Sequence, residues 1–118
     1  MVNTARKGAT KERRARDELK KEGHMIAFKS IRWRFGCIDF ATLFDIVAIK
    51  DNVWRFISVK HFGKSNNYLP HQVEINEFKA KHGFKDATFE LWIWHSPRWT
   101  GRGKNKVWNE GKWDKIML

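Results

Sequence analysis

Two apolar runs flank Asp51-Asn52 in FDIVAIKDNVWRFISVK, residues 44–60, and this stretch constrains the fold more than any other. Each run is short and rich in β-branched and aromatic residues, and Lys50-Asp51-Asn52 has the chemistry of a tight hairpin turn. The stretch therefore predicts two antiparallel strands. Side chains alternate faces along a strand, so Ser58 and Lys60 project to one side. Asp45 lies in the neighbouring strand, and pairing through the turn brings it close to Lys60.

A helix is predicted from Thr4 to Glu22, with Gly23 as its stop. On it Glu12, Ala15 and Leu19 share one face. That face must pack on the sheet, so a glutamate, an aspartate and a lysine can converge at one edge of the core. Buried charges are costly unless they are paired or bound to metal. Mg²⁺ takes oxygen ligands, commonly one or two carboxylates plus waters, and a lysine beside it can orient a water against phosphorus. A plain Asp–Lys ion pair without chemistry is the alternative for the same residues.

Around this centre the chain reads as one domain over 1–118. His24–Ser30 is a strand, and 31–43 is a basic, aromatic loop. Residues 63–67 form a loop, and 69–83 a helix with Pro70 in its first turn. A strand follows at 87–94. Residues 96–105 are a loop with three basic residues, and 106–118 a closing hairpin around Asn109-Glu110-Gly111. The fold class is α/β, a mixed sheet flanked by helices in the order α-β-β-β-α-β-β.

The 118 residues carry 24 Lys and Arg against 13 Asp and Glu, a net charge of +11. Residues 1–34 concentrate the excess, with eleven basic and four acidic side chains. A small domain so basic meets a polyanion, most often nucleic acid. Candidate phosphate contacts are Arg6, Lys7, Lys11, Arg13 and Arg14 on the first helix, Arg32 and Arg34 in the first loop, and Arg98, Arg102 and Lys104 in the second. Trp99 lies between Arg98 and Arg102, where it can stack on a base. The chain lacks a membrane-spanning apolar run and a signal-peptide core. Its single cysteine, Cys37, rules out an internal disulfide and fits a reducing compartment. An intracellular protein, cytoplasmic or on the nucleoid, is expected. Gly63-Lys64-Ser65 is not a phosphate loop, because Ser58 stands where that motif needs glycine. The five histidines lack zinc-site spacing.

FDIVAIK and ISVK, with an upstream helical glutamate in KGATKERRARDELKKEG, resemble the signature of the PD-(D/E)xK nuclease superfamily. The order of elements is similar to that of archaeal Holliday-junction resolvases and their viral relatives. The resemblance implies a restriction-endonuclease-like fold and a homodimeric endonuclease that cuts four-way DNA junctions with Mg²⁺ or Mn²⁺. Asp45 and Glu12 would hold the metal, the carbonyl of Val59 would add a ligand, and Lys60 would handle the attacking water. Ser30 is the nearest match to a serine that contributes in the resolvases. Phe44 stands where the signature has proline. Ser58 stands where it has an acid, and a neutral hydroxyl is a poor ligand for Mg²⁺.

Some restriction enzymes of the superfamily also carry Ser/Thr-x-Lys and recover the acid from the following helix. Glu74 matches that spacing here, with Glu77 as the second choice; both are also ordinary surface charges beside Lys79 and Lys81. Val73, Phe78 and Ala80 would pack this helix on the sheet. Two other functions stay open: a non-catalytic DNA-binding protein on the same fold, and a nuclease for flaps or nicked duplex.

Overall fold

The hairpin forms as its turn chemistry requires. Strand β4 (Ile46–Lys50) pairs antiparallel with β5 (Val53–His61), in register Ile46 to Ile57 and Lys50 to Val53. Asp51 and Asn52 both have positive φ, 52° and 66°. A two-residue turn of that hand matches the right-handed twist of the flanking strands. The computed structural model describes residues 4–33, 36–41, 43–62, 68–82 and 85–118.

Helix α1 (Thr4–Lys21) ends where predicted. Gly23 has φ +92°, its amide donates to the Lys20 carbonyl at 3.0 Å, and the His24 amide donates to the Leu19 carbonyl at 2.9 Å. This glycine-terminated pair of bonds satisfies carbonyls that the last helical turn leaves open. Strand β1 (Met25–Lys29) then pairs with β4. Helix α2 (Leu69–His82) carries the chain from β5 to β6 (Ala87–His95), which runs parallel to β5, as a helical crossover allows. Strand β9 (Lys112–Met117) closes the sheet antiparallel to β6. The five strands stand in the order β1-β4-β5-β6-β9, a mixed sheet with two helices in one small α/β domain.

Alternation along the strands divides the core between the two faces. Ala15 and Leu19 of α1 pack with Ile46, Ala48, Ile57, Val59 and Trp92. Ile75 of α2 packs with Phe44, Val47, Phe56, Phe89, Leu91 and Ile93. Helix α2 seats itself through Ile75 and the half-buried Phe78; Val73 and Ala80, expected to help, are exposed. The periodicity of that helix is weak, and the sheet selects the face that its aromatic surface can cover.

Three expectations are corrected. Residues 31–33 and 36–38 are not plain loop but pair as a small ribbon, β2 (Ile31–Trp33) with β3 (Gly36–Ile38). The segment 96–105 contains a strand, β7 (Arg98–Thr100), and a short 3₁₀ turn (Gly103–Asn105). The closing segment is not a hairpin on itself: β8 (Val107–Asn109) pairs with β7, while β9 pairs with β6. Short strands with weak alternation choose partners by tertiary fit, which local sequence does not encode. Among the described residues no helix is long and apolar enough to cross a membrane.

Candidate active site

Asp45 is the centre of the site. It precedes β4, is only 7 % exposed, and is fastened to the middle of β5. Its amide donates to the Ile57 carbonyl at 3.0 Å, and its Oδ2 accepts from the Val59 amide at 2.6 Å. The hairpin register thus sets Asp45 against Ile57 and Val59, next to Lys60 in the chain. Lys60 is the next residue, half-buried near the end of β5.

Glu12 arrives from α1 as predicted. It is 4 % exposed, on the same helical face as Ala15 and Leu19, and its side chain shares a hydrogen bond with Asp45. Ser30, directly after β1, is also buried. Its amide donates to the Asp45 carbonyl at 2.8 Å, and its hydroxyl donates to Asp39 Oδ1, with Asp45 Oδ1 3.2 Å away. Asp39 is an acid that sequence reasoning missed. Its signal was a carboxylate in the apolar stretch Cys37-Ile38-Asp39-Phe40.

Burial, then the negative charges of Glu12 and Asp39, push the Asp45 carboxyl up to about 7, although the Val59 amide pulls it down. Two buried carboxylates with the half-buried Asp39 beside them favour a positive charge, and hard oxygen donors suit Mg²⁺ or Mn²⁺. Among the described residues no group of three His, Cys, Asp or Glu side chains forms a ready-made cage. Mg²⁺ does not require one, since it keeps several waters and takes one or two carboxylates. The donor set of Glu12 and Asp45 therefore fits a divalent cation.

This strain has a measurable consequence. A carboxyl whose pKa is raised on folding stabilises the fold below its unfolded pKa and loses that contribution as pH rises through its folded value. Between the ordinary 3.8 and about 7, Asp45 lowers stability as pH increases. In EDTA, the melting temperature of the wild type is expected to fall further between pH 5 and pH 8 than that of Asp45→Asn. The variant should be the more stable protein at pH 8, by about 4 °C or more. Parallel melting curves for the two proteins would exclude a strained Asp45.

Ser58 is fully buried on the α2 face of β5, and its Oγ lies 2.7 Å from His71 Nε2. His71 belongs to the first turn of α2 and is half-buried. Sequence reasoning missed this histidine, which has no zinc-site spacing. Its signal was placement, directly after Pro70 on a helix that must cross over β5. Glu74, one turn later, is exposed and acts on His71 through its charge; Glu77 is exposed as well.

The basic surface divides in two. On α1, Arg13 and Arg14 are exposed and Lys11 is half-exposed; Arg14 lies over the Trp94 ring at 4.1 Å. The β7–β8 ribbon presents Arg98, Trp99, Arg102 and Lys104, all exposed, with Trp99 packed 5.2 Å from Trp108 across the ribbon. The side chains of Arg6, Lys7 and Arg32, and the whole of Arg34, lie outside the described residues, as does the loop at 63–67. Neither a protein-family model nor a curated protein matches the sequence.

Proposed function

We propose that this chain is a divalent-metal-dependent endonuclease of the PD-(D/E)xK kind, acting on branched DNA such as four-way junctions and working as a homodimer. One observation carries the reading: Glu12 of a helix and Asp45 of a hairpin share a buried hydrogen bond at the point where β5 presents Lys60. Glu12 and Asp45 would hold Mg²⁺ or Mn²⁺, with the Val59 carbonyl as a further donor. The cation would neutralise charge that develops on the phosphate. Lys60 orients the attacking water and the phosphate, and Ser30 and Asp39 brace Asp45. The cations of α1 and of the β7–β8 ribbon bind the DNA backbone, and Trp99 stacks on an exposed base. A second reading, a protein that binds DNA without cutting it, is favoured by Ser58, a neutral group where the signature has an acid.

The deciding experiment incubates the protein with a labelled four-way junction and with matched linear duplex, each in Mg²⁺, Mn²⁺ or EDTA. Cleavage of the junction with either metal and none in EDTA is expected; junction binding with no cleavage in any condition leaves the second reading. Binding itself is expected to be steeply salt-dependent. If about six to ten phosphates are engaged, affinity falls roughly 10³–10⁵-fold between about 50 and 200 mM salt. A flat response in a fluorescence-anisotropy titration would remove nucleic acid as the partner.

A further inference from the structure

The contact between Ser58 and His71 is separate from the hydrogen bond between Glu12 and Asp45. Ser58 Oγ is fully buried, so it cannot reach a phosphate and is no nucleophile. His71 is half-buried, so its ring can meet solvent on one side and Ser58 on the other. A ring nitrogen that donates its proton to an oxygen leaves the lone pair on its partner. With Nε2 donating to Ser58 Oγ, that lone pair is on Nδ1.

The charged groups around His71 come from three elements: Lys60 of β5, Glu74 of α2, and Asp39 after β3. Asp39 also acts on Asp45, so the histidine and the carboxylate pair share a neighbour. Along β5 the ties are consecutive: the Ser58 side chain meets His71, the Val59 amide meets Asp45, and Lys60 follows. Burial, and then Lys60, hold the imidazole below its ordinary range against the opposing pull of Glu74 and Asp39. The neutral imidazole is therefore favoured.

We propose that His71 is the proton acceptor for the hydrolysis, taking a proton from the attacking water on Nδ1, with Ser58 as the positioning residue that holds the ring through Nε2. This rests on the endonuclease reading. The water oxygen forms a bond to phosphorus and one P–O ester bond breaks. The water's proton passes to Nδ1, and the leaving oxygen takes a proton from solvent, giving a phosphomonoester and an alcohol. His71 then returns its proton to solvent. Lys60 faces the phosphate. The pair Ser58–His71 thus supplies the base that the signature's acid-x-Lys would otherwise help to provide.

The test measures single-turnover cleavage of a labelled four-way junction in Mg²⁺, and junction affinity, for the wild type, His71→Ala, His71→Gln, Ser58→Ala, Ser58→Thr and Asp45→Asn. His71→Ala and His71→Gln are expected to cut about 10²–10⁴-fold more slowly with unchanged affinity. Added imidazole should restore cutting to His71→Ala. The rising limb of the wild-type pH–rate profile should be missing from His71→Gln. Ser58→Ala should slow cutting and Ser58→Thr should retain it. Independently of activity, ¹⁵N spectra of the wild type should show His71 protonated on Nε2; protonation on Nδ1 overturns the proposal. Wild-type rates for both His71 variants beside an inactive Asp45→Asn would overturn the role of His71 and keep the endonuclease. A wild type that binds junctions and never cuts them would overturn both.

Discussion

Lys60→Ala is expected to reduce junction cleavage by about 10²–10⁴-fold while leaving junction affinity unchanged. The expectation comes from where β5 puts this lysine. It follows Val59, whose amide holds Asp45, and its charge reaches His71. It is half-buried, whereas the described side chains assigned to the DNA backbone on α1 and the β7–β8 ribbon are exposed, apart from the half-exposed Lys11. A positive charge placed where the phosphate becomes more negative stabilises the transition state more than the ground state, so its loss appears in the rate and not in Kd. Cleavage by gel and affinity by anisotropy, on the same junction, separate the two. Equal losses of binding and cutting would make Lys60 a phosphate anchor.

Glu90→Ala is expected to cost about 3–5 kcal/mol, a large share of a small domain's stability, and to lower Tm by about 15 °C or more. Glu90 is wholly buried in β6. Its carboxylate accepts from Arg55 Nε at 2.8 Å and Nη2 at 2.7 Å, from Thr88 Oγ1 at 2.7 Å and from Trp92 Nε1 at 3.0 Å. Four donors use the whole accepting capacity of a carboxylate. Burial alone would push its pKa up, but the hydrogen bonds from Arg55, Thr88 and Trp92 win and hold it below the ordinary range. Its contribution is therefore present above the ordinary carboxylate pKa and lost as the protein is acidified through the lower, folded value.

Alanine at position 90 strands the Arg55 guanidinium, for which Glu22, 3.7 Å away and partly exposed, and the charge of Glu18 are weaker partners. Replacing both partners with leucine should recover much of the loss, because neither charge is then left unpaired. Chemical denaturation of the two single variants and the double variant measures this directly. A single variant within about 1 kcal/mol of the wild type would show that water replaces the lost partner. Glu90 and Asp45 are two differently held buried carboxylates. Glu90 is satisfied by four donors and held below the ordinary range, whereas Asp45, buried beside Glu12 and Asp39, is held above it.

The hairpin, both helices and the longest strands were legible in residue order, because each is decided locally. Asp51-Asn52 takes the positive φ its turn needs, Gly23 ends α1, and Ala15 and Leu19 recur at helical spacing. The inward Glu12 was legible for the same reason, since it shares that spacing. The ribbons were not, because three-residue strands carry too little alternation to name a partner. Glu90 was invisible as a buried ion pair: its partner is 35 residues away and meets it only when β5 and β6 lie side by side.

Local sequence determined the elements and the types of group that they carry: a basic helix with one inward acid, an aspartate before one strand, and a lysine near the end of the next. Tertiary structure decided which of these groups meet. The register of β4 on β5 set Asp45 against the Val59 amide, and the crossover of α2 brought His71, and not an acid, onto Ser58. The reason is physical. Turn and helix signals act over a few residues, whereas sheet register and helix docking are set by burying Phe44, Ile75 and Phe89 together, a choice made among residues far apart in the chain.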